Sequence, residues 1–170
     1  MSAVSFDPVW EDLYGGGSAA RAPYAFVASF IYRNASKGVP RDQVRVLEIG
    51  CGAGNNLWFA AMEGFSVAGV DGSESAIAAA KARLAEHNLS GDLQAADFTD
   101  LPFEDGAFDL VVDRGALTCC GTEAMGKAIG EVRRVLKPGG AFLFNPIADS
   151  DTSFRAGTLG EDGLSYDITE

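Results

Sequence analysis

Residues 44–145 alternate regularly between short apolar segments and longer segments with helical periodicity. The short segments have the length and composition of buried strands and lie at 44–49, 65–70, 92–96, 108–113 and 141–144. The helical segments lie at 55–63, 73–87 and 122–136. Strands that alternate with helices form parallel sheets, and right-handed crossovers place helices on both faces. The sequence therefore predicts an α/β fold with a doubly wound, mostly parallel sheet flanked by helices. Ligands bind such sheets beyond the carboxyl ends of the strands.

Composition limits the kind of molecule and its partners. The chain has 170 residues, 47% of them hydrophobic, which suits one folded domain with a substantial core. Its formal net charge of -11 argues against a nucleic-acid partner. The nearly apolar stretch 22–32 is too short to cross a bilayer, so no membrane partner is expected. Cys51, Cys119 and Cys120 lack the spacing of a zinc site, so we expect no metal and a cytoplasmic location.

A glycine-rich turn follows the first predicted strand. Gly50, Gly52 and Gly54 have the spacing G-x-G-x-G, and glycine lets the backbone turn tightly and approach a ligand closely. The dinucleotide spacing G-x-G-x-x-G would need a glycine where this chain has Asn55. The turn therefore suits a ligand without a pyrophosphate.

Acidic residues follow the second and third predicted strands. Asp71 precedes Gly72 and Ser73, and a carboxylate at this place accepts hydrogen bonds from ribose hydroxyls. A helix-capping role is the alternative for Asp71, but Ser73 already suits that role. Asp97 can accept from an adenine amino group and Phe98 can cover the ring. Taken alone, Asp97 is equally typical of a turn, but its place after the glycine-rich turn and Asp71 favours the adenine role.

Five segments in the expected order resemble the motifs of class I methyltransferases, which use S-adenosylmethionine. Residues 46–54, 69–73 and 96–103 resemble motif I, the acidic motif II and the adenine motif. Residues 108–112 resemble the fourth strand, and residues 131–140 resemble the helix and turn before the fifth strand. The resemblance covers about residues 44–145, and five motifs in the right order are highly specific.

The resemblance implies a cofactor site at these positions. The glycine-rich loop would line the methionine part of S-adenosylmethionine, with Glu48 beneath it, and Asp71 would bind the ribose. Gly72, Asp97 and Phe98 would bound the adenine. The full set of candidate cofactor-binding residues is Tyr14, Glu48, Gly50, Cys51, Gly52, Asn55, Asp71, Gly72, Ser73, Asp97, Phe98 and Asp113.

The reaction implied is methyl transfer to a small-molecule acceptor by in-line displacement, with S-adenosylhomocysteine as product. No catalytic residue is assigned. Asp113 and Arg114 are the candidates, because the end of the fourth strand would face the methionine or the acceptor. The alternatives are a protein that binds the cofactor without catalysis, and a nicotinamide-dependent oxidoreductase, which Asn55 and Asp97-Phe98 disfavour.

The domain organisation expected is one methyltransferase domain over residues 1–170. It consists of an N-terminal helical segment (1–40), the cofactor-binding core (44–145) and an irregular tail (146–170). Related sheets end in a strand hairpin against the fifth strand, and the tail shows no convincing pair of strands. We therefore expect the hairpin to be missing, the chain to be truncated and the fifth strand, 141–144, to lie at an edge. An unpaired apolar edge is a template for pairing, so we expect cover by the tail from Ile147 onward or by a second copy of the chain. Because the tail is polar and rich in glycine, a homodimer through this edge is the favoured alternative.

Overall fold

The structure, a computed structural model, describes residues 6–17 and 19–167. Residues 1–5, 18 and 168–170, which belong to the expected N-terminal segment and tail, lie outside the described residues. The main sheet contains five strands, β1 (Arg45–Ile49), β2 (Ser66–Asp71), β3 (Asp92–Ala95), β4 (Phe108–Asp113) and β5 (Leu136–Leu143). The strands are all parallel, in the order β3-β2-β1-β4-β5. The predicted α/β fold with a doubly wound parallel sheet is confirmed.

Helices cover both faces of this sheet. Their bounds are α1 (Val9–Gly15), α2 (Ala25–Asn34), α3 (Asn55–Met62), α4 (Glu74–Glu86), α5 (Thr122–Val135) and α6 (Thr152–Ala156). Two 3₁₀ turns lie at Arg41–Gln43 and Leu117–Cys119. Two short antiparallel strands, β6 (Thr158–Leu159) and β7 (Ser165–Tyr166), form a separate ladder.

Alternate side chains along the strands divide the core into two layers. Val46 of β1 points to the face that α2, α3 and α4 cover, where Val27 and Leu57 are buried in the same cluster. Leu47 and Ile49 point to the opposite face and pack against α5. Because side chains in a strand alternate between faces, a doubly covered sheet needs apolar residues at nearly every position. This requirement explains why Val46, Leu47 and Ile49 of β1 are apolar and buried, although they point to opposite faces.

The order of the strands places the functional edge between β1 and β4. Chain connections run outward from β1 in both directions, so the helices that follow β1 and β4 lie on opposite faces. Ile49, the last residue of β1, pairs with Val70 on one side and Asp113 on the other. The segments that follow these three strands therefore open into one crevice, where ligands bind in open α/β sheets.

The fifth strand starts earlier than the sequence pattern indicates. Leu136 already pairs with Phe108, and pairing resumes where Ala141 meets Leu110. The residues between form an irregularity in the ladder, with Gly139 at a φ of +81°. The Pro-Gly-Gly sequence, which the sequence pattern places in the turn before the fifth strand, is thus an irregular section within that strand. Lys137 supports this arrangement through an ion pair with Asp109 of β4 at 2.8 Å.

The fifth strand lies at the edge of the main sheet, as predicted. The tail differs from the irregular segment expected, because it contains α6 and the β6–β7 ladder. Within residues 6–17 and 19–167, no strand of the tail pairs with β5. Phe144, just beyond β5, remains 38% exposed.

Glycine-to-alanine changes should have opposite effects on stability at two sites. A Cβ on Gly69 of β2 would lie 2.5 Å from Leu57 Cδ1 and 2.9 Å from Cys51 Sγ. We expect Gly69→Ala to lower the free energy of unfolding by about 1–3 kcal/mol through overpacking. A Cβ on Gly126, exposed in α5, meets no atom within 4 Å. We expect Gly126→Ala to raise the free energy of unfolding by roughly 0.5–1 kcal/mol. Urea denaturation measures both, and equal signs would contradict the packing described.

Candidate functional site

The loop after β1 is built on alternate left-handed glycines. Gly50, Gly52 and Gly54 have φ values of +61°, +52° and +70°. Other L-residues adopt this conformation only at a cost in energy, so the G-x-G-x-G spacing follows from the backbone itself. The loop is tied to the sheet because Cys51 N donates to Val70 O at 3.0 Å.

The carboxylate of Asp71 joins this loop to the start of α4. Its Oδ2 accepts from Gly52 N at 2.8 Å and its Oδ1 accepts from Ser73 N at 2.9 Å. Asp71 is only 7% exposed, and burial raises the pKa of its carboxyl while the two backbone hydrogen bonds lower it. The cap of α4 is Ser73, whose Oγ accepts from Ala76 N, as the sequence predicts. Asp71 instead positions the loop and reaches the crevice.

Glu48 lies beneath the loop, buried to 2% exposure. Its Oε1 accepts from Asn56 Nδ2 at 2.7 Å, whereas Oε2 has no hydrogen-bond partner among the described residues. Burial raises the pKa of this carboxyl to about 8, and the neighbouring carboxylates of Asp113 and Asp71 add to the effect. A buried polar atom without a hydrogen-bond partner is costly, so Oε2 is available for a hydrogen bond with a ligand.

The two candidates at the end of β4 have different roles. Asp113 is fully buried, and its Oδ1 accepts from Ala116 N at 2.8 Å and Leu117 N at 3.1 Å. Asp113 therefore holds the turn that follows β4 and does not line either cavity described below. Arg114 does line them, and its guanidinium lies 3.8 Å from the centroid of the Tyr24 ring. Among the described residues, no carboxylate forms an ion pair with Arg114.

The adenine candidates also separate in the structure. Phe98 is 8% exposed and lines the larger of two cavities at this edge of the sheet. Asp97 Oδ1 accepts from Thr99 N and Thr99 Oγ1, both at 2.8 Å, so this carboxylate stabilises the turn after β3. The turn interpretation of Asp97 is thus present in the structure, and Asp97 does not line the larger cavity.

Two neighbouring cavities open at this edge of the sheet. The larger encloses about 620 Å³, part of it open to solvent, and is lined by Phe6, Asp7, Trp10, Tyr14, Gly50, Asp71, Gly72, Phe98, Arg114, Gly115, Ala116 and Cys119. The smaller encloses about 400 Å³, again partly open to solvent. It is lined by Tyr14, Ala20, Tyr24, Glu48, Gly50, Cys51, Gly52, Ala53, Asn55, Asn56 and Arg114. Both share Tyr14, Gly50 and Arg114, so the two cavities meet at these residues.

The N-terminal segment supplies an aromatic wall, of which the sequence had assigned only Tyr14 to the site. Phe6 lies against Gly72, where a Cβ would be 2.2 Å from its ring, and the Tyr14 hydroxyl lies against Gly52. Trp10 lines the larger cavity between them. Phe6, Trp10 and Tyr14 recur every fourth residue, the spacing of one helix face, and this was the signal available. Burial, followed by the nearby Asp71 carboxylate, raises the pKa of Tyr14 to about 12, so its hydroxyl stays protonated.

Glu11 fastens this wall to the core. Its carboxylate accepts from Ser73 Oγ at 2.5 Å, from Ser75 Oγ, and from Ser75 N at 3.3 Å. These hydrogen bonds lower the pKa of Glu11, with the one from Ser73 largest. A carboxylate at a helix N-terminus is also favoured by the helix dipole. α1 is therefore held over the crevice at the start of α4.

The structure thus brings most of the predicted residues together. Ser73, Asp97 and Asp113 line neither cavity. Ser73 caps α4, whereas Asp97 and Asp113 stabilise the turns that follow β3 and β4. Asn55 lines the smaller cavity, and its Nδ2 donates to Ala22 O at 2.7 Å. In the part of the chain that is described, no group of three or more His, Cys, Asp or Glu side chains could hold a metal ion. No helix within the same residues is long and apolar enough to cross a membrane.

Comparisons with known proteins agree on one family. Residues 46–140 match the model of the methyltransferase domain. An uncharacterized protein of Haemophilus influenzae is 38% identical over 66% of this chain and 46% of its own length. The malonyl-[acyl-carrier protein] O-methyltransferase of Erwinia pyrifoliae is 35% identical over 65% of this chain and 40% of its own length. The chain thus spans less than half the length of these two relatives.

A solved structure agrees on the fold. It comes from work on the conversion of a disulfide bond into a thioacetal group during echinomycin biosynthesis. It matches with a TM-score of 0.68 and 25% identity over 79% of this chain and 57% of that chain. The family match runs from β1 into β5 and includes the loop, Asp71 and Arg114. The chain therefore belongs to the methyltransferase domain family, in its class I, S-adenosylmethionine-dependent group.

Proposed function

We propose that the two cavities together bind S-adenosylmethionine and that the chain transfers its methyl group to a small-molecule acceptor. The nucleoside would occupy the larger cavity and the amino-acid part the smaller one. The observation that carries this proposal is a pair of groups that line the smaller cavity. Glu48 Oε2 has no hydrogen-bond partner among the described residues, and the Arg114 guanidinium stacks on Tyr24 but forms no ion pair within the same residues.

These two groups match an α-amino acid. An ammonium can donate to Glu48 Oε2, and a carboxylate can accept from Arg114 in a charge-assisted hydrogen bond. The cost of burying Glu48 without a full set of partners is then offset when the ligand binds. A nicotinamide dinucleotide has no such amino-acid group, and this favours S-adenosylmethionine over the oxidoreductase alternative.

The larger cavity suits a nucleoside for separate reasons. Asp71 offers a carboxylate at the end of β2, and each of its oxygens retains a lone pair beyond the backbone hydrogen bond described. Phe98 and Trp10 offer flat apolar surfaces for a base. Gly72 leaves room next to the chain, because a Cβ there would collide with Phe6.

The cofactor, when bound, supplies a methyl group already activated on a sulfonium. The protein then has to orient the reactants and exclude water. The N-terminal wall of Phe6, Trp10 and Tyr14 does both, since it covers the crevice and is held by Glu11. Asp113 contributes as a positioning residue, because it fixes the turn that carries Arg114 and Ala116.

A small organic acceptor fits the remaining part of the larger cavity. Ala116 and Cys119 offer apolar surface there, and the net charge of -11 disfavours a polyanion. Release of S-adenosylhomocysteine, measured against a panel of metabolites, tests turnover. Binding without turnover on any acceptor would favour the non-catalytic alternative.

We also propose that the edge of β5 mediates a homodimer and that the protein is cytoplasmic. Phe142 and Phe144 stack at 5.8 Å between ring centroids next to this edge, and Phe144 is exposed. The three cysteines are free, which suits a reducing compartment. Light scattering tests the dimer, and a monomer at high concentration would contradict it.

Asp71→Ala should weaken binding of S-adenosylhomocysteine more than Asp97→Ala does. Asp71 accepts within the cavity and positions the loop, whereas Asp97 lines neither cavity. Charge-assisted hydrogen bonds contribute roughly 1.5–3 kcal/mol each, so we expect a loss of about tenfold or more for Asp71→Ala. Isothermal titration calorimetry of both variants measures the difference, and equal losses would contradict the assignment.

The affinity for S-adenosylhomocysteine should rise with pH between 6 and 8 and become flat in Glu48→Gln. The ammonium favours the ionised carboxylate, and the pKa of Glu48 is about 8 in the free protein. Below that pKa, binding must first remove a proton, which costs up to about tenfold per pH unit. 5′-Methylthioadenosine lacks the amino-acid part and is the matched control, with an affinity that does not depend on Glu48. The same pH dependence for both ligands would contradict the proposal.

A loss of folded protein cannot produce this rise of affinity with pH. The pKa of Glu48 is raised above its ordinary value of 4.5, so folding retains a proton that the unfolded chain releases. The contribution of Glu48 to the free energy of unfolding is therefore fully present below a pH of about 4.5 and is lost as the pH rises towards 8. Glu48→Gln removes that loss, and we expect its thermal midpoint at pH 8 to equal or exceed that of the wild type.

A further inference from the structure

The connection between β3 and β4 contains no helix or strand, although it carries an aromatic wall of the larger cavity. Residues 96–107 run along the α5 face of the sheet as irregular backbone. Phe98 lines the cavity near the start of this connection, and Leu101 is buried three residues later. Such a connection has no internal ladder of hydrogen bonds, so its buried backbone groups need partners elsewhere.

Arg134, near the end of α5, supplies many of these partners. Its Nη1 donates to Phe103 O at 2.7 Å and to Asp105 Oδ1 at 2.9 Å. Its Nη2 donates to Leu101 O at 2.9 Å. The backbone of the same residue contributes as well, because Gly106 N donates to Arg134 O at 2.9 Å.

Glu131, one turn earlier in α5, completes the arrangement. Its Oε1 accepts from Arg134 Nε at 2.8 Å and its Oε2 accepts from Arg134 Nη2 at 2.7 Å. Oε2 also accepts from Leu101 N at 2.8 Å. The hydrogen bond with Arg134 holds the pKa of Glu131 below its ordinary value, and the two acidic partners raise the pKa of Arg134. Both backbone groups of Leu101 are thus held by one pair of side chains.

We propose that Glu131 and Arg134 are positioning residues for the cofactor, and that they act through Phe98. The proposal rests on the proposed function, because it concerns the nucleoside end of the same site. Leu101 is the buried anchor of the connection, and Phe98 packs in the same core layer. Fixing the backbone of Leu101 fixes the place of the Phe98 ring at the cavity wall. A planar guanidinium that donates in several directions is needed, and lysine offers only a single point charge.

The first test is the binding of S-adenosylhomocysteine by Arg134→Lys, with Arg133→Lys as the matched control. Arg133 is the neighbouring residue in α5, is exposed and lies outside these contacts. Stacking of a base on an aromatic ring contributes to affinity, so a displaced Phe98 should lower affinity by about fivefold to tenfold, which is about 1–1.4 kcal/mol. We expect that loss for Arg134→Lys and for Glu131→Gln, and an unchanged affinity for Arg133→Lys.

A double-mutant cycle separates positioning from general loss of stability. If Arg134 acts through Phe98, then Arg134→Lys should have almost no further effect on affinity in a Phe98→Leu background. Additive losses, or an unchanged affinity in Arg134→Lys well below its melting temperature, would overturn the inference. No binding of S-adenosylhomocysteine by the wild type would refute the proposed function together with the inference. Wild-type binding with an unaffected Arg134→Lys would refute only the inference.

Discussion

The carboxylate of Asp71 is the contact on which the rest of the site depends. It accepts from Gly52 N and Ser73 N, and so joins the loop after β1 to the first turn of α4. Ser73 in turn caps α4 and donates to Glu11, which holds α1 over the crevice. One continuous chain of hydrogen bonds therefore runs from the glycine-rich loop to the N-terminal cover. Each link satisfies a polar group that would otherwise be costly in a buried place.

Three buried carboxyl groups stand at neighbouring strand ends, and their partners distinguish them. Asp113 accepts from the backbone of the turn after β4, and Asp71 accepts from two backbone groups of the crevice. Glu48 has only the amide of Asn56, and its second oxygen is left without a partner among the described residues. The carboxyl group is thus structural in Asp113, shared between structure and site in Asp71, and available to a ligand in Glu48. Burial raises the pKa of both Glu48 and Asp113, and the Arg114 guanidinium partly opposes that rise in each.

The walls of the crevice are held by residues outside it. Glu11 secures the aromatic wall from the N-terminal segment, and Arg134 with Glu131 secures the connection that carries Phe98. Both arrangements use ionised side chains to hold irregular or short segments that cannot hold themselves by packing. A rigid sheet thus provides the strand ends, and charged contacts at its periphery set the shape of the cavities.

The sequence by itself determined the sheet and the loop. Periodicity distinguishes strands from helices, and the glycines at alternate positions encode a left-handed backbone that other residues resist. The end of the second predicted strand also indicated Asp71, and the resemblance to class I methyltransferases indicated Glu48 and Arg114. Only the tertiary structure decided which predicted residues reach a cavity. Asp97 and Asp113 accept hydrogen bonds from nearby backbone donors. Phe6 and Trp10 line the larger cavity because the hydrogen bonds of Glu11 hold α1 against the start of α4. Such outcomes depend on contacts between residues far apart in the chain, which no local pattern records.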